Sequence, residues 1–309
     1  MAQQATADRM VGVGLLASLL PKSVVSALNR VRPSISVEGT MHPFSAKRPL
    51  AQITAGAPLF FQQAGQGSPL VLLHGLGVNG TMFDPIVPAF TPQHQVIVPD
   101  LRGHGRSQDL PGPYDVPQLA ADVMGLLDTL ALETVDVLGY SHGGAVAQYL
   151  AYTFPHRVRR LILACTYAYN ALSFREKIED RLRPWLMRLL GPRRLIHFVI
   201  RTGALGPLDA EQAYRLEAML ASSGTRQMIA AAKGITTFDS RPWLAHIPQP
   251  TLIIAGNNDP AVPLAHAQML VHGIPGARLE IIANAGHVFI WTHTDQFIAL
   301  MKGFLEPHP

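Results

Sequence analysis

The sequence predicts an α/β fold, a doubly wound and mostly parallel sheet interrupted once by a helical insertion that reads as a lid. Three observations predict it. Short apolar runs alternate with helix-length stretches from about residue 51 onward, the order expected of a sheet covered on both sides. Most of the runs are continuously apolar instead of alternating in polarity, as strands buried on both faces are. The rhythm then breaks between Cys165 and Pro250, where about 80 residues of helical composition hold no convincing strand and are too many for a structureless loop.

Taken in order, residues 31–50 mix proline, glycine and serine without periodicity and read as a linker. The segments AQITA and LFFQQAG predict an opening hairpin at a sheet edge. Strands follow at PLVLLHG (69–75), HQVIVPD (94–100), ETVDVLGY (133–140), VRRLILAC (158–165), PTLIIAG (250–256) and ARLEIIA (277–283). Helices are predicted over 116–132, 141–154, 264–274 and 295–305. In the first of these Leu119, Val123, Leu126, Leu127 and Leu130 recur at helical spacing, with Asp122 at the flank and Asp128 opposite. The expected organisation is an N-terminal extension over 1–50, a core of 51–165 and 246–309, and a helical lid over 166–245. The lid begins where a strand ends on the edge that carries ligands in such sheets.

Composition narrows the function classes. Of 309 residues, 48% are hydrophobic and 15% charged, enough apolar surface to build a large core. The net charge of +4 is modest, and the basic stretch from Arg175 to Arg201 is interleaved with Glu176, Glu179 and Asp180. It reads as a solvated helix face, and with no nucleic-acid motif beside it no nucleic-acid partner is expected. The single cysteine, Cys165, forbids an intrachain disulfide and Cys-rich zinc sites, and reads as a buried strand-end residue. Residues 10–20 are apolar but too few to span a bilayer. They fit a signal-like core or, with Leu15, Leu16, Leu19, Leu20, Val24 and Leu28 on one face, an amphipathic helix able to touch a membrane surface. A cytoplasmic location is expected, with secretion or membrane association as the alternatives; oligomeric state is left open.

The chemistry starts at Gly139-Tyr140-Ser141-His142-Gly143. A G-x-S-x-G pentapeptide arises by chance in roughly one of ten chains of this length, but this one joins an apolar strand to an Ala-rich helix, the junction a nucleophile elbow requires. A serine hydroxyl needs a base to take its proton. Of 13 histidines, His287 lies just past the last predicted strand, in a loop opening on the same sheet edge as Ser141. Asp259 follows the preceding strand and reaches that edge to hold the imidazole in its working tautomer. An acid placed after the strand ending at Cys165 is not available, since Thr166, Tyr167 and Ala168 stand there. The backbone N–H groups of His142 and Leu76, the latter in His74-Gly75-Leu76-Gly77, are the candidate oxyanion donors. The loop from Pro99 to Ser107 reads as a brace for neighbouring loops.

These motifs together (HGLG, D-L-R-G-H-G-R-S, G-Y-S-H-G-G, then N-D-P and A-G-H) resemble the α/β-hydrolase superfamily over roughly residues 51–306. The likeness is greatest to the small bacterial branch holding carboxylesterases, 3-oxoadipate enol-lactonases, C–C bond hydrolases and cofactor-free haloperoxidases. Haloalkane dehalogenases and epoxide hydrolases, which place an aspartate at the elbow, are set aside by Ser141. The expected activity is hydrolysis of a small-molecule carboxylic ester through an acyl-enzyme, with no metal or organic cofactor. The same triad would serve a C–C hydrolase, lactonase or perhydrolase, and a non-catalytic receptor is the further alternative. Leu186, Met187, Leu189 and Leu190 line a substrate pocket or simply pack.

Overall fold

A computed structural model of the protein describes residues 59–306, apart from 170, 174–175, 179–181, 183–190, 192–193, 195, 198 and 222. The N-terminal segment, AQITA, the side chains from Leu186 to Leu190 and much of the basic stretch lie outside the described residues. Among those described, no helix is long and apolar enough to cross a membrane.

Seven strands form one sheet in the order β1-β3-β2-β4-β5-β6-β7. They are β1 (Phe61–Ala64), β2 (Ser68–Leu73), β3 (His94–Pro99), β4 (Val135–Tyr140), β5 (Val158–Ala164), β6 (Thr251–Gly256) and β7 (Arg278–Ile282). All neighbours run parallel except β1, which lies antiparallel to β3 with Phe61 opposite Pro99. Within the described residues LFFQQAG pairs with β3, and AQITA, the other arm of the expected opening hairpin, lies outside them. The short link from β1 to β2 passes against the start of β3, where a side chain on Gly65 would collide with the Thr91 and His94 carbonyls, so β2 emerges on the far side of its neighbour.

The sheet is covered as its period-two pattern dictates. Leu70 and Leu72 of β2 enter one core and Val71 and Leu73 the other, all fully buried. Helices α1 (Val116–Thr129), α2 (His142–Thr153) and α5 (Leu264–Gly273) line one face. Helix α6 (Thr294–Leu305) lines the other, with Phe83, Ile86 and Phe90 from the segment before β3. Helix α1 starts where the Asp115 side chain accepts the Gln118 N–H at 3.0 Å. It stops three residues short of the expected end, because Ala131 turns left-handed at φ 52°.

Two further expectations change. Strand β7 is largely exposed, only Ile282 being buried, because among the described residues it is the sheet's edge and has one neighbour; Arg278 and Glu280 make that edge a poor template for further pairing. Asp122 is buried and receives two hydrogen bonds of 2.6 Å from Arg102, tying the loop after β3 to α1.

Between β5 and β6 the described residues include the helices α3 (Ala210–Ala221) and α4 (Thr225–Thr237). The two ends of this segment meet, with Tyr169 bridging Asp239 and the Ser240 N–H donating to the Ala168 carbonyl at 2.9 Å.

The chain steps from β2 outward to β3, then crosses back to place β4 on the opposite side of β2. The connections that follow β2 and β4 therefore run to opposite sides, and in open parallel sheets ligands bind at the carboxyl ends of strands at such a switch point. Ser141 follows β4 and His74 follows β2.

Candidate active site

Ser141 is held in a conformation that side chains rarely adopt, φ 52° and ψ −118°. Such a residue costs about 1–3 kcal/mol and persists only where its surroundings impose it. Here the Ser141 N–H donates to the Ala164 carbonyl at 2.8 Å, and the Thr166 hydroxyl donates to the Ser141 carbonyl at 2.7 Å. The helix that follows lies so close beneath β2 that a Cβ on Gly143 would collide with the Leu73 and His74 carbonyl oxygens. Only glycine allows that approach, and the approach lifts the Ser141 side chain off the sheet edge.

The loop after β7 brings His287 to this hydroxyl, with Nε2 3.1 Å from Ser141 Oγ. On its other side Nδ1 lies 2.8 Å from Asp259 Oδ2. A carboxylate can only accept, so the proton sits on Nδ1 and the Nε2 lone pair faces the serine. Asp259 is buried, which by itself would raise its pKa; the adjacent His287, its hydrogen bond, and the Val262 and Ala261 N–H groups outweigh burial and hold the carboxyl below the ordinary value. Those two N–H groups reach Oδ1 at 2.9 and 2.8 Å. The file is thus an ionised acid, an imidazole of fixed tautomer and a hydroxyl, an arrangement suited to moving one proton off Ser141.

The candidate oxyanion donors stand beside it. His142 opens α2, whose first N–H groups point out of the helix end. Its side chain is fully buried with Nδ1 3.2 Å from the Tyr167 hydroxyl. Leu76 lies in the loop after β2, and that loop runs against the serine: a Cβ on Gly75 would be 3.2 Å from Ser141 Cβ and 3.6 Å from Oγ. The plane of the Gly75–Leu76 peptide is set by His74. The Leu101 N–H donates to His74 Nε2 at 2.9 Å, so the proton of the neutral ring must be on Nδ1, which donates to the Gly75 carbonyl at 2.8 Å. Burial drives the His74 pKa down to about 4, so the ring stays neutral and this tautomer persists.

The loop after β3 braces its neighbours as its sequence suggests. The Asp100 carboxylate accepts the Gly80 N–H at 2.7 Å and the Arg106 N–H at 2.9 Å. Ser107 Oγ accepts the Phe60 N–H at 2.9 Å. His104 is wholly buried, its Nδ1 bonded to the Arg102 carbonyl at 3.0 Å, and burial with His74 nearby lowers its pKa to about 3.

Sequence reasoning missed four participants. The Tyr140 hydroxyl donates to the His287 carbonyl at 2.7 Å, and Thr166 steadies the elbow as described. Leu220 and Met228, from α3 and α4, roof the loop after β2; a Cβ on Gly77 would lie 2.5 Å from Leu220 Cδ2 and 3.5 Å from Met228 Sδ. The Tyr140 signal was present in the G-Y-S motif, whereas α3 and α4 carry no motif at all.

Cys165, Asp259 and His287 place their donor atoms within 4.8 Å of one another. Burial, followed by the charge of Asp259, raises the thiol pKa well above its ordinary value. A metal there would have to ionise that thiol and displace the hydrogen bond between Asp259 and His287, so the group is matched to proton chemistry.

Comparison with known proteins agrees with this geometry. A family profile described as alpha/beta hydrolase fold matches residues 68–294. The chain is 34% identical over 249 residues to a poly(3-hydroxyalkanoate) depolymerase of Ectopseudomonas oleovorans, covering 77% of this chain and 84% of that protein. It is 31% identical over 253 residues to a pimeloyl-[acyl-carrier protein] methyl ester esterase of Aeromonas hydrophila, covering 79% of this chain and 98% of that one. Among solved structures, the enol-lactonase of Burkholderia xenovorans LB400 superposes with a TM-score of 0.72 at 26% identity, covering 80% of this chain and 96% of that one.

Proposed function

The chain belongs to the α/β-hydrolase family, and from that premise we propose that it hydrolyses carboxylic esters through an acyl-enzyme on Ser141. His287 takes the hydroxyl proton as Ser141 Oγ attacks the ester carbonyl, and Asp259 stabilises the imidazolium. The N–H groups of Leu76 and His142 bind the oxyanion, a contribution of about 10²–10³ in rate for each such donor. His287 gives the proton to the leaving alcohol. It then takes one from water, which attacks the acyl carbonyl and frees both the acid and Ser141.

One observation carries the reading: the unbroken hydrogen-bonded file from Asp259 through His287 to Ser141, with spacings of 2.8 and 3.1 Å at a strained elbow. The ester is favoured as substrate because a polyhydroxyalkanoate, a methyl ester and a lactone, the compounds named in the relatives above, all contain that link. An apolar acyl group is favoured because Leu76, Leu220 and Met228 gather at the loop beside Ser141. The cytoplasm suits a chain whose one cysteine is buried and free.

The test is a series of p-nitrophenyl esters of graded acyl length given to the wild type and Ser141→Ala. Serine-dependent turnover is expected, with kcat lowered about 10⁴-fold or more in the variant, together with a phosphonate adduct on Ser141. Turnover that survives the substitution overturns the mechanism, and tight ester binding without turnover by the wild type assigns the chain a receptor role.

A further inference from the structure

Both backbone groups of His287 are taken, and by different parts of the chain. Its carbonyl accepts from the Tyr140 hydroxyl at the elbow strand. Its N–H donates at 3.0 Å to the carbonyl of Leu205, which lies in the segment between β5 and β6. The contact there is backbone against backbone. A Cβ on Gly286 would stand 2.8 Å from the Leu205 carbonyl oxygen and 2.9 Å from Gly206 Cα, and a Cβ on Gly206 would stand 3.0 Å from Gly286 Cα. Gly206 itself is left-handed at φ 87°. Two glycines therefore face one another across the seam, and a side chain on either would push the Leu205 carbonyl away from the His287 N–H.

The placement of this turn gives the seam a consequence. Leu205 and Leu208 pack against the apolar core that also holds Leu216, Met219 and Leu220 of α3, and Leu220 roofs the loop beside Ser141. The same short stretch thus joins the apolar core that includes the roof of the site and also meets the backbone of its imidazole.

We propose that the Leu205–Gly206 turn is a positioning element for His287, so that the insertion between β5 and β6 governs the placement of the base as well as covering the substrate. The inference rests on the proposed esterase mechanism. A displacement of the insertion withdraws a hydrogen bond from the His287 N–H and leaves the residue held by Asp259 at its ring and by Tyr140 and Cys165 at its carbonyl. Near-attack geometry is steep, a misplacement of about 1 Å costing on the order of 10² in rate.

Glycine 203 supplies the control. It has the same left-handed backbone, φ 69°, with nothing within 4 Å of where a Cβ would be. Gly203→Ala therefore carries the conformational cost of Gly206→Ala without the collision. In the full-length protein, Gly206→Ala and Gly286→Ala are each expected to lower kcat on a p-nitrophenyl ester by about 10- to 100-fold with KM within about threefold. Gly203→Ala should stay within about twofold of wild type in kcat. The peptide amide of His287 should exchange its hydrogen faster in Gly206→Ala than in Gly203→Ala. The double variant should cost less than the product of its single effects, since both act at one contact. Equal kcat in Gly203→Ala and Gly206→Ala overturns the proposal, as does a loss of kcat with His287 amide protection unchanged. Failure of the ester mechanism itself would be seen separately, as turnover persisting in Ser141→Ala.

Discussion

His74 and His287 follow two strands of the same sheet, β2 and β7, and carry the same ring, yet their surroundings differ in every respect that matters to a proton. His74 is wholly buried, with a backbone carbonyl on one nitrogen and a backbone N–H on the other, and burial lowers its pKa to about 4. It stays neutral and serves as a crossbar between the loops after β2 and β3. His287 is partly exposed, its Nδ1 faces a buried carboxylate and its Nε2 faces a hydroxyl. The lesson is that a histidine becomes a base through an acid behind it and a substrate-side opening before it. A histidine enclosed by backbone becomes part of the scaffold.

The comparison breaks first at the acid. Asp259→Asn removes the charge behind His287 and lets the amide offer an N–H to Nδ1, which turns the ring's proton toward Ser141. A fall in kcat of about 10⁴ is expected with modest change in KM, checked by steady-state kinetics and by an equally slowed phosphonate reaction at Ser141. If Asn at this position left kcat within tenfold, the contrast between the two histidines would rest on something other than the carboxylate.

His74 gives a smaller effect. His74→Leu frees the Gly75–Leu76 peptide, and kcat should fall about 10- to 100-fold, less than loss of a whole oxyanion donor. His74→Asn can place its amide where Nδ1 lies and donate to the Gly75 carbonyl, so it should recover most of that loss. Equal losses in the two variants would mean that His74 acts only by filling space.

The mildest test needs no substitution. The folded pKa of His74, about 4, lies below the ordinary 6.5. As pH falls below 6.5 the unfolded chain takes up a proton that the folded chain refuses until about pH 4. Stability is therefore full above pH 6.5 and declines toward pH 4, by about 3 kcal/mol from this residue alone. His104 adds to the same trend and extends it downward, since its folded pKa is about 3. Urea unfolding at pH 7.0, 5.5 and 4.5 should show the decline, and His74→Asn should flatten it.

The sequence was most informative where function depends on a side chain at a strand end. Ser141, Asp259 and His287 each follow a strand whose apolar run is plain to read, and the structure sets the three in one file. The brace formed by Asp100 and Ser107 was legible in the same way. The sheet edge was harder: β7 has the composition of a buried strand, but its exposure depends on having no neighbour beyond it among the described residues.

By itself the sequence determined the alternating elements, the elbow and the two residues able to serve it, since apolar period, glycine placement and side-chain chemistry are written residue by residue. Tertiary structure alone decided which histidines are enclosed, that Thr166 and Tyr140 steady the elbow and the His287 loop, and that Leu205 meets the His287 N–H. The physical reason is that burial belongs to all of a residue's neighbours at once. A hydrogen bond to a backbone carbonyl, which every residue owns, leaves no trace in the order of the side chains.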